Sequence, residues 1–78
     1  LSIFDLRKLK NMNRIGEVLK DKGLKQKWLA DQLGMSTVMV SLYSSNKRQP
    51  KLTTLILIGR ILKVEVNQLI DSNPLKEL

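Results

Sequence analysis

Leu33-Gly34-Met35-Ser36 puts a helix stop and a helix start two residues apart. Gly34 has no Cβ, so it can take the positive φ that ends a helix without steric cost. Ser36 is a good N-cap, its hydroxyl placed to accept from a free backbone N–H of the next turn. Upstream, Leu29, Ala30 and Leu33 recur at helical spacing and form one apolar stripe over residues 26–33. Downstream, Thr37 to Ser44 reads as a second short helix with Val40 and Tyr43 turned inward. Ala30 is small where the two helices would cross, which lets their backbones approach. Two helices joined this closely must meet at a sharp bend, and the chain reads as an all-α domain organised around it. A bend alone is only moderately specific, because any small helical bundle needs one.

Composition narrows the functions open to such a domain. Seventy-eight residues make one small unit with a modest core. With no cysteine there is no disulfide and no thiolate metal site. With no histidine, the commonest general base and commonest metal ligand are both missing. Glu17, Asp21, Asp31 and Asp71 are scattered without recognisable pairing and read as solvated helix charges. The expectation is therefore a non-enzyme with no cofactor, no metal and no small-molecule ligand. Fourteen Lys and Arg against seven Asp and Glu give a net charge of +7, which favours a polyanionic partner over a merely solvated basic surface.

In chain order, residues 1–12 read as an N-terminal extension, either an arm or a remnant. Ser2 and Asp5 resemble a capping box, and Ile3, Leu6 and Leu9 suggest a short extra helix. Asn13 is expected to cap a helix over Arg14 to Lys22, with Ile15, Val18 and Leu19 inward, Gly16 in close packing and Gly23 as the stop. Leu24 would plug the space beneath the bend. After the bend, the turn Asn46-Lys47-Arg48-Gln49-Pro50-Lys51 carries three positive charges. Thr53 is expected to cap a helix over Thr54 to Leu62, with Leu55, Ile58 and Leu62 in the core and Ile56, Leu57 and Ile61 as surplus apolar surface. Val64, Val66, Leu69 and Ile70 suggest a short fifth helix. Asn73-Pro74 would end the domain, which spans residues 13–71 and leaves 72–78 as a tail. Arg60 interrupts the greasiest run and the N-terminal apolar run is short, so neither a membrane span nor a signal sequence is expected, and a cytoplasmic location is.

From about Asn13 to Ile70 the sequence resembles the XRE-type helix-turn-helix family of phage repressors and Cro. The residues that carry the likeness are Leu24, Gln26, Leu29-Ala30, Leu33-Gly34, Ser36, Val40-Ser41, Lys47, Pro50, Leu52, Thr54-Leu55, Ile58, Leu62, Val64 and Leu69. They cover roughly three-quarters of the chain at the correct spacing. The resemblance implies a five-helix, repressor-like domain that regulates transcription by binding operator DNA as a dimer. The second helix of the bend would enter the major groove while the first crosses the backbone.

Carried over by position, it implies base contacts from Thr37, Val38, Ser41 and Leu42. Phosphate contacts fall to Gln26, Lys27, Ser36, Lys47, Arg48 and Lys51, and a homodimer interface to Ile56, Leu57, Arg60 and Ile61. The expected partner is a double-stranded, palindromic DNA operator, and the expected activity sequence-specific repression. Between Lys25 and Lys51 there are five cations and one acid, Asp31, so the fold gathers charge where DNA would lie.

Some positions depart from the family pattern. Lys25 replaces a usual Thr or Ser cap, and Asn46 a frequent Gly. Trp28 stands where an acid is common and reads as a packing residue, since duplex DNA offers no exposed base faces. Val38, Met39 and Leu42 replace positions that are often polar. Met39 reads as core filling, while Leu42 either faces the groove or packs against Trp28 or Tyr43. Val and Leu cannot make bidentate base contacts but can meet thymine methyls. The alternative is an antitoxin or protein-interaction module that uses the same fold.

Overall fold

A computed structural model describes residues 13–70, and within them five helices: α1 (Ile15–Asp21), α2 (Gln26–Leu33), α3 (Thr37–Ser44), α4 (Leu52–Leu62) and α5 (Val66–Leu69). The expected N-terminal helix, the tail and Asp71 lie outside the described residues. Around the bend the local rules hold. Gly34 takes φ +68°, the Ser36 hydroxyl accepts from Met39 N–H at 3.2 Å, and α3 has the expected limits. Lys25 precedes α2 without a side-chain cap. Gly23, at φ +67°, ends the turn after α1, where Leu24 N–H donates to the Leu19 carbonyl at 2.9 Å.

Eleven apolar residues form the core: Ile15, Val18, Leu19, Leu29, Ala30, Val40, Tyr43, Leu55, Ile58, Leu62 and Leu69. Through them α3 packs on α1 and α2, α2 packs on α4, and α4 on α5. The α1–α3 approach is close. A Cβ built on Gly16 would lie 3.1 Å from the Ser44 carbonyl oxygen, which accounts for a glycine inside a helix. Leu24 and Leu33 pack half-buried against the same core.

Four expectations need correction. First, α1 starts at Ile15, with Arg14 rather than Asn13 at the cap position. The reason is tertiary: Asn13 forms an antiparallel bridge with Ile70, and Arg14 N–H donates to the Leu69 carbonyl at 2.7 Å. The Asn13 side chain still accepts from Ile15 N–H, at 3.1 Å. Second, that bridge makes Ile70 extended (φ −111°, ψ 137°), so it ends α5 rather than joining it, and Val64 lies in the preceding connection. Third, Thr53 does not cap α4. Lys51 holds the cap position, its carbonyl accepting from Leu55 N–H at 2.9 Å, so the helix begins as soon as the chain has passed Pro50. A hydroxyl cap at Thr53 is worth about 1 kcal/mol, and the two added residues, both exposed, offset it with a further helical backbone bond, that of Leu55 N–H, rather than with burial. Fourth, Trp28 is 37% exposed and outside the core. Leu29 and Ala30 take the inward face, and Trp28 lies 100° round the helix from Leu29.

Asn13 is buried and makes a polar cluster rather than a simple cap. Its Nδ2 donates to the Tyr43 carbonyl at 2.9 Å and to Gln49 Oε1 at 2.8 Å. Its backbone N–H donates to Asn46 Oδ1 at 3.0 Å, and its carbonyl accepts from Asn46 Nδ2 at 3.1 Å. Gln49 Nε2 donates to Asn46 Oδ1 at 3.0 Å, closing the ring. Three side chains thus tie the start of α1 to the loop that follows α3.

Among the described residues, the Ser44 hydroxyl is a buried polar atom without a hydrogen-bond partner. Replacing it with a methyl removes that penalty and improves helix propensity. Ser44→Ala is expected to raise the thermal midpoint by roughly 4–8 °C, the equivalent of about 1 kcal/mol in a domain of this size. A calorimetric scan that finds the variant less stable than its parent would show that the hydroxyl is satisfied in solution.

Candidate nucleic-acid interface

Two side chains fasten α3 to the domain, Val40 at 0% and Tyr43 at 8% exposure. The helix period then turns Thr37, Val38 and Ser41 outward, and all three are exposed, Val38 at 70%. Met39 and Leu42 are half-buried at the edges of that face, and Met39 packs on the core as expected. At the start of α3 the Ser36 oxygen is occupied by Met39 N–H, which leaves the hydroxyl proton to donate outward.

The loop after α3 is wound back over the end of the helix. Lys47 N–H and Arg48 N–H both donate to the Leu42 carbonyl, at 3.0 and 3.2 Å, and the Ser45 hydroxyl donates to it at 3.3 Å. Asn46 takes φ +62°, the left-handed turn that makes this winding possible. Arg48 then lies alongside α3, its Nη1 3.8 Å from Met39 Sδ. Lys47, Arg48 and Lys51 are exposed, Lys51 at the entry to α4. At the other end of the motif Gln26 opens α2 half-buried, followed by exposed Lys27. Trp28 lies with Leu24, Lys25, Lys27 and Asp31 around a shallow surface hollow. The winding of residues 45–48 over Leu42 was not visible in the sequence beyond the turn-forming Asn46.

The candidate dimer face divides. Ile56 (37% exposed), Leu57 (45%) and Arg60 lie on the surface of α4, whereas Ile61 is half-buried against the core and is not surplus. Because α4 starts early, Leu52 belongs to it and is 66% exposed, an apolar position the sequence reading did not place on a helix. No helix of the described residues is long and apolar enough to cross a membrane. Among the same residues no group of acidic side chains could hold a metal ion.

A short helix fastened by its inner face, a left-handed glycine bend, a capped second helix and an exposed outer face on that helix define a helix-turn-helix protein. The chain belongs to the helix-turn-helix family HTH_3, whose pattern it matches over residues 15–69. Among solved structures it is similar to a protein from Bacteroides fragilis to which DNA binding is ascribed. That likeness has 42% identity and a TM-score of 0.76, covering 77% of this chain and 97% of the other. The comparison with curated proteins gives no match.

Proposed function

We propose that this protein is a sequence-specific, double-stranded-DNA-binding transcriptional regulator that acts as a homodimeric repressor on a palindromic operator. The observation that carries the reading is the exposed face of α3, flanked in sequence by cations at the start of α2 and in the loop after α3. The family fold and the DNA binding ascribed to the similar Bacteroides protein support it. In this reading Thr37, Val38, Ser41 and Leu42 face base edges, while Gln26, Lys27, Ser36, Lys47 and Lys51 hold phosphates. Binding-site selection from random duplex DNA tests it. Recovery of no preferred sequence would remove the regulatory reading.

Val38 carries the specificity expected of α3, since its two methyl groups suit a thymine methyl and Thr37 beside it can bond a base edge. Thr37→Ala and Val38→Ala are expected to shift sequence preference by roughly 1–3 kcal/mol per base pair while changing non-specific affinity little. Selections run in parallel on parent and variants check this, and identical recovered sites would clear both residues of a reading role. Ser41→Ala is expected to do less, because a single hydroxyl both donates and accepts and so discriminates weakly among base edges.

The homodimer is supported by the exposed Leu52, Ile56 and Leu57 on one helix, with Arg60 beside them. Pairing through this end would set two α3 helices about 34 Å apart, one turn of DNA. Leu57→Glu is therefore expected to yield one chain per duplex in sedimentation, where the parent gives two. Unchanged stoichiometry would move the interface elsewhere. The second reading, a protein-interaction module or antitoxin, draws on the 70% exposure of the apolar Val38. Salt separates the two, because binding through phosphates weakens steeply as salt rises and an apolar contact does not.

A further inference from the structure

We infer that Arg48 is a base-reading residue, supplying from outside α3 the bidentate donor that recognises a guanine edge. The inference rests on the DNA-binding reading and changes what this one cation does within it. Two observations meet at this side chain.

The first is a deficit. The outward and edge positions of α3 carry Thr37, Val38, Met39, Ser41 and Leu42, none of which can make a two-point hydrogen bond to a base. A recognition surface of hydroxyls and methyls can favour thymine but has no two-point donor to hold a guanine.

The second is restraint. Phosphate contacts tolerate a mobile side chain, because charge acts without register, whereas base reading needs a donor held in place. Arg48 has such support at its backbone. Its own N–H is bonded to the Leu42 carbonyl, and its neighbours Asn46 and Gln49 turn their side chains into the buried Asn13 cluster. With Asn46 and Gln49 anchored inward, Lys47 and Arg48 are both left exposed, and it is the Arg48 side chain that lies against α3. Its guanidinium lies across the flank of α3 at Met39, next to the edge from which Leu42 emerges. The planar fork of arginine matches the O6 and N7 acceptors of guanine in the major groove. The contact with Met39 is weak, so leaving it for a base costs little.

The test is binding-site selection from random duplex DNA with the full chain, its Arg48→Ala variant and a Lys47→Ala control, followed by titrations on the recovered site. The parent and Lys47→Ala are expected to recover a shared position occupied by guanine, and Arg48→Ala to accept any base there. Replacing that guanine by 7-deazaguanine should weaken the parent roughly ten- to a hundredfold and leave Arg48→Ala unaffected. If Arg48→Ala recovers the same site as the parent and loses affinity uniformly, as Lys47→Ala should, Arg48 is a phosphate contact and the inference is wrong. A parent that enriches no sequence overturns the regulatory reading as a whole, an outcome distinct from the loss of this one residue's role. Both variants change exposed side chains and keep the backbone N–H groups that pin the loop, and matching circular dichroism melts confirm that they fold.

Discussion

Asn13→Ala is expected to destabilise the domain by about 2–3 kcal/mol, because it takes away several hydrogen bonds at once in a buried place. The Asn13 amide nitrogen serves both the Tyr43 carbonyl and Gln49 Oε1, and its oxygen serves the first N–H of α1. Each group left behind either stays dry and unpaired or must admit water. A domain this small has on the order of 5 kcal/mol in hand, so the thermal midpoint should fall by roughly 10–20 °C. Asn13→Asp, nearly the same shape, sharpens the test. It exchanges the amide donors for acceptors that face the Tyr43 carbonyl, and it should cost at least as much without opening a cavity. Asn46→Gly keeps the positive φ yet loses two bonds to Asn13, and is expected to cost about 1 kcal/mol. The double variant should cost less than the sum, since the two residues share bonds. A midpoint for Asn13→Ala within 2 °C of the parent, a window set at about half the shift of 1 kcal/mol, would mean that the cluster ties nothing together.

The largest effect on binding is expected from charge. Lys27, Lys47 and Lys51 are exposed cations assigned here to phosphates, one near the start of α2, one in the wound loop and one at the entry to α4. Each neutralised phosphate releases counterions and adds about 0.9 to the slope of log affinity against log salt. Changing all three to Ala should lower that slope by about 2.7. Between 50 and 200 mM salt, the parent should then lose roughly 40-fold more affinity than the variant. The loss should be similar on operator and random duplex, because a phosphate contact carries no base information. Fluorescence anisotropy over a salt series measures both quantities. An unchanged slope would take the three lysines off the DNA and favour the apolar protein-binding reading.

The positions of the helices around the bend were legible because they follow rules that need only a few neighbours. Gly23 and Gly34 stop helices since only a residue lacking Cβ takes positive φ freely, and Ser36 starts one since its hydroxyl reaches three residues on. The 3.6-residue period likewise separates Val40 and Tyr43, which are buried, from Thr37, Val38 and Ser41, which are not. The inward face of α3 could therefore be named from the residues alone, while the family resemblance was needed to give its outer face a reading role. What the chain folded against was not legible in this way. The partners of Asn13 lie 30 to 36 residues away, so its hydrogen bonds exist only once α1 and the loop after α3 have been packed together. The extended Ile70, the half-burial of Ile61 and the exposure of Trp28 are decided in the same way. Each turns on which surface a neighbouring element covers, and a preference worth about 1 kcal/mol in isolation yields to several buried side chains. The restraint on Arg48 belongs to this second kind: its charge is written in the sequence, and its direction comes from the fold.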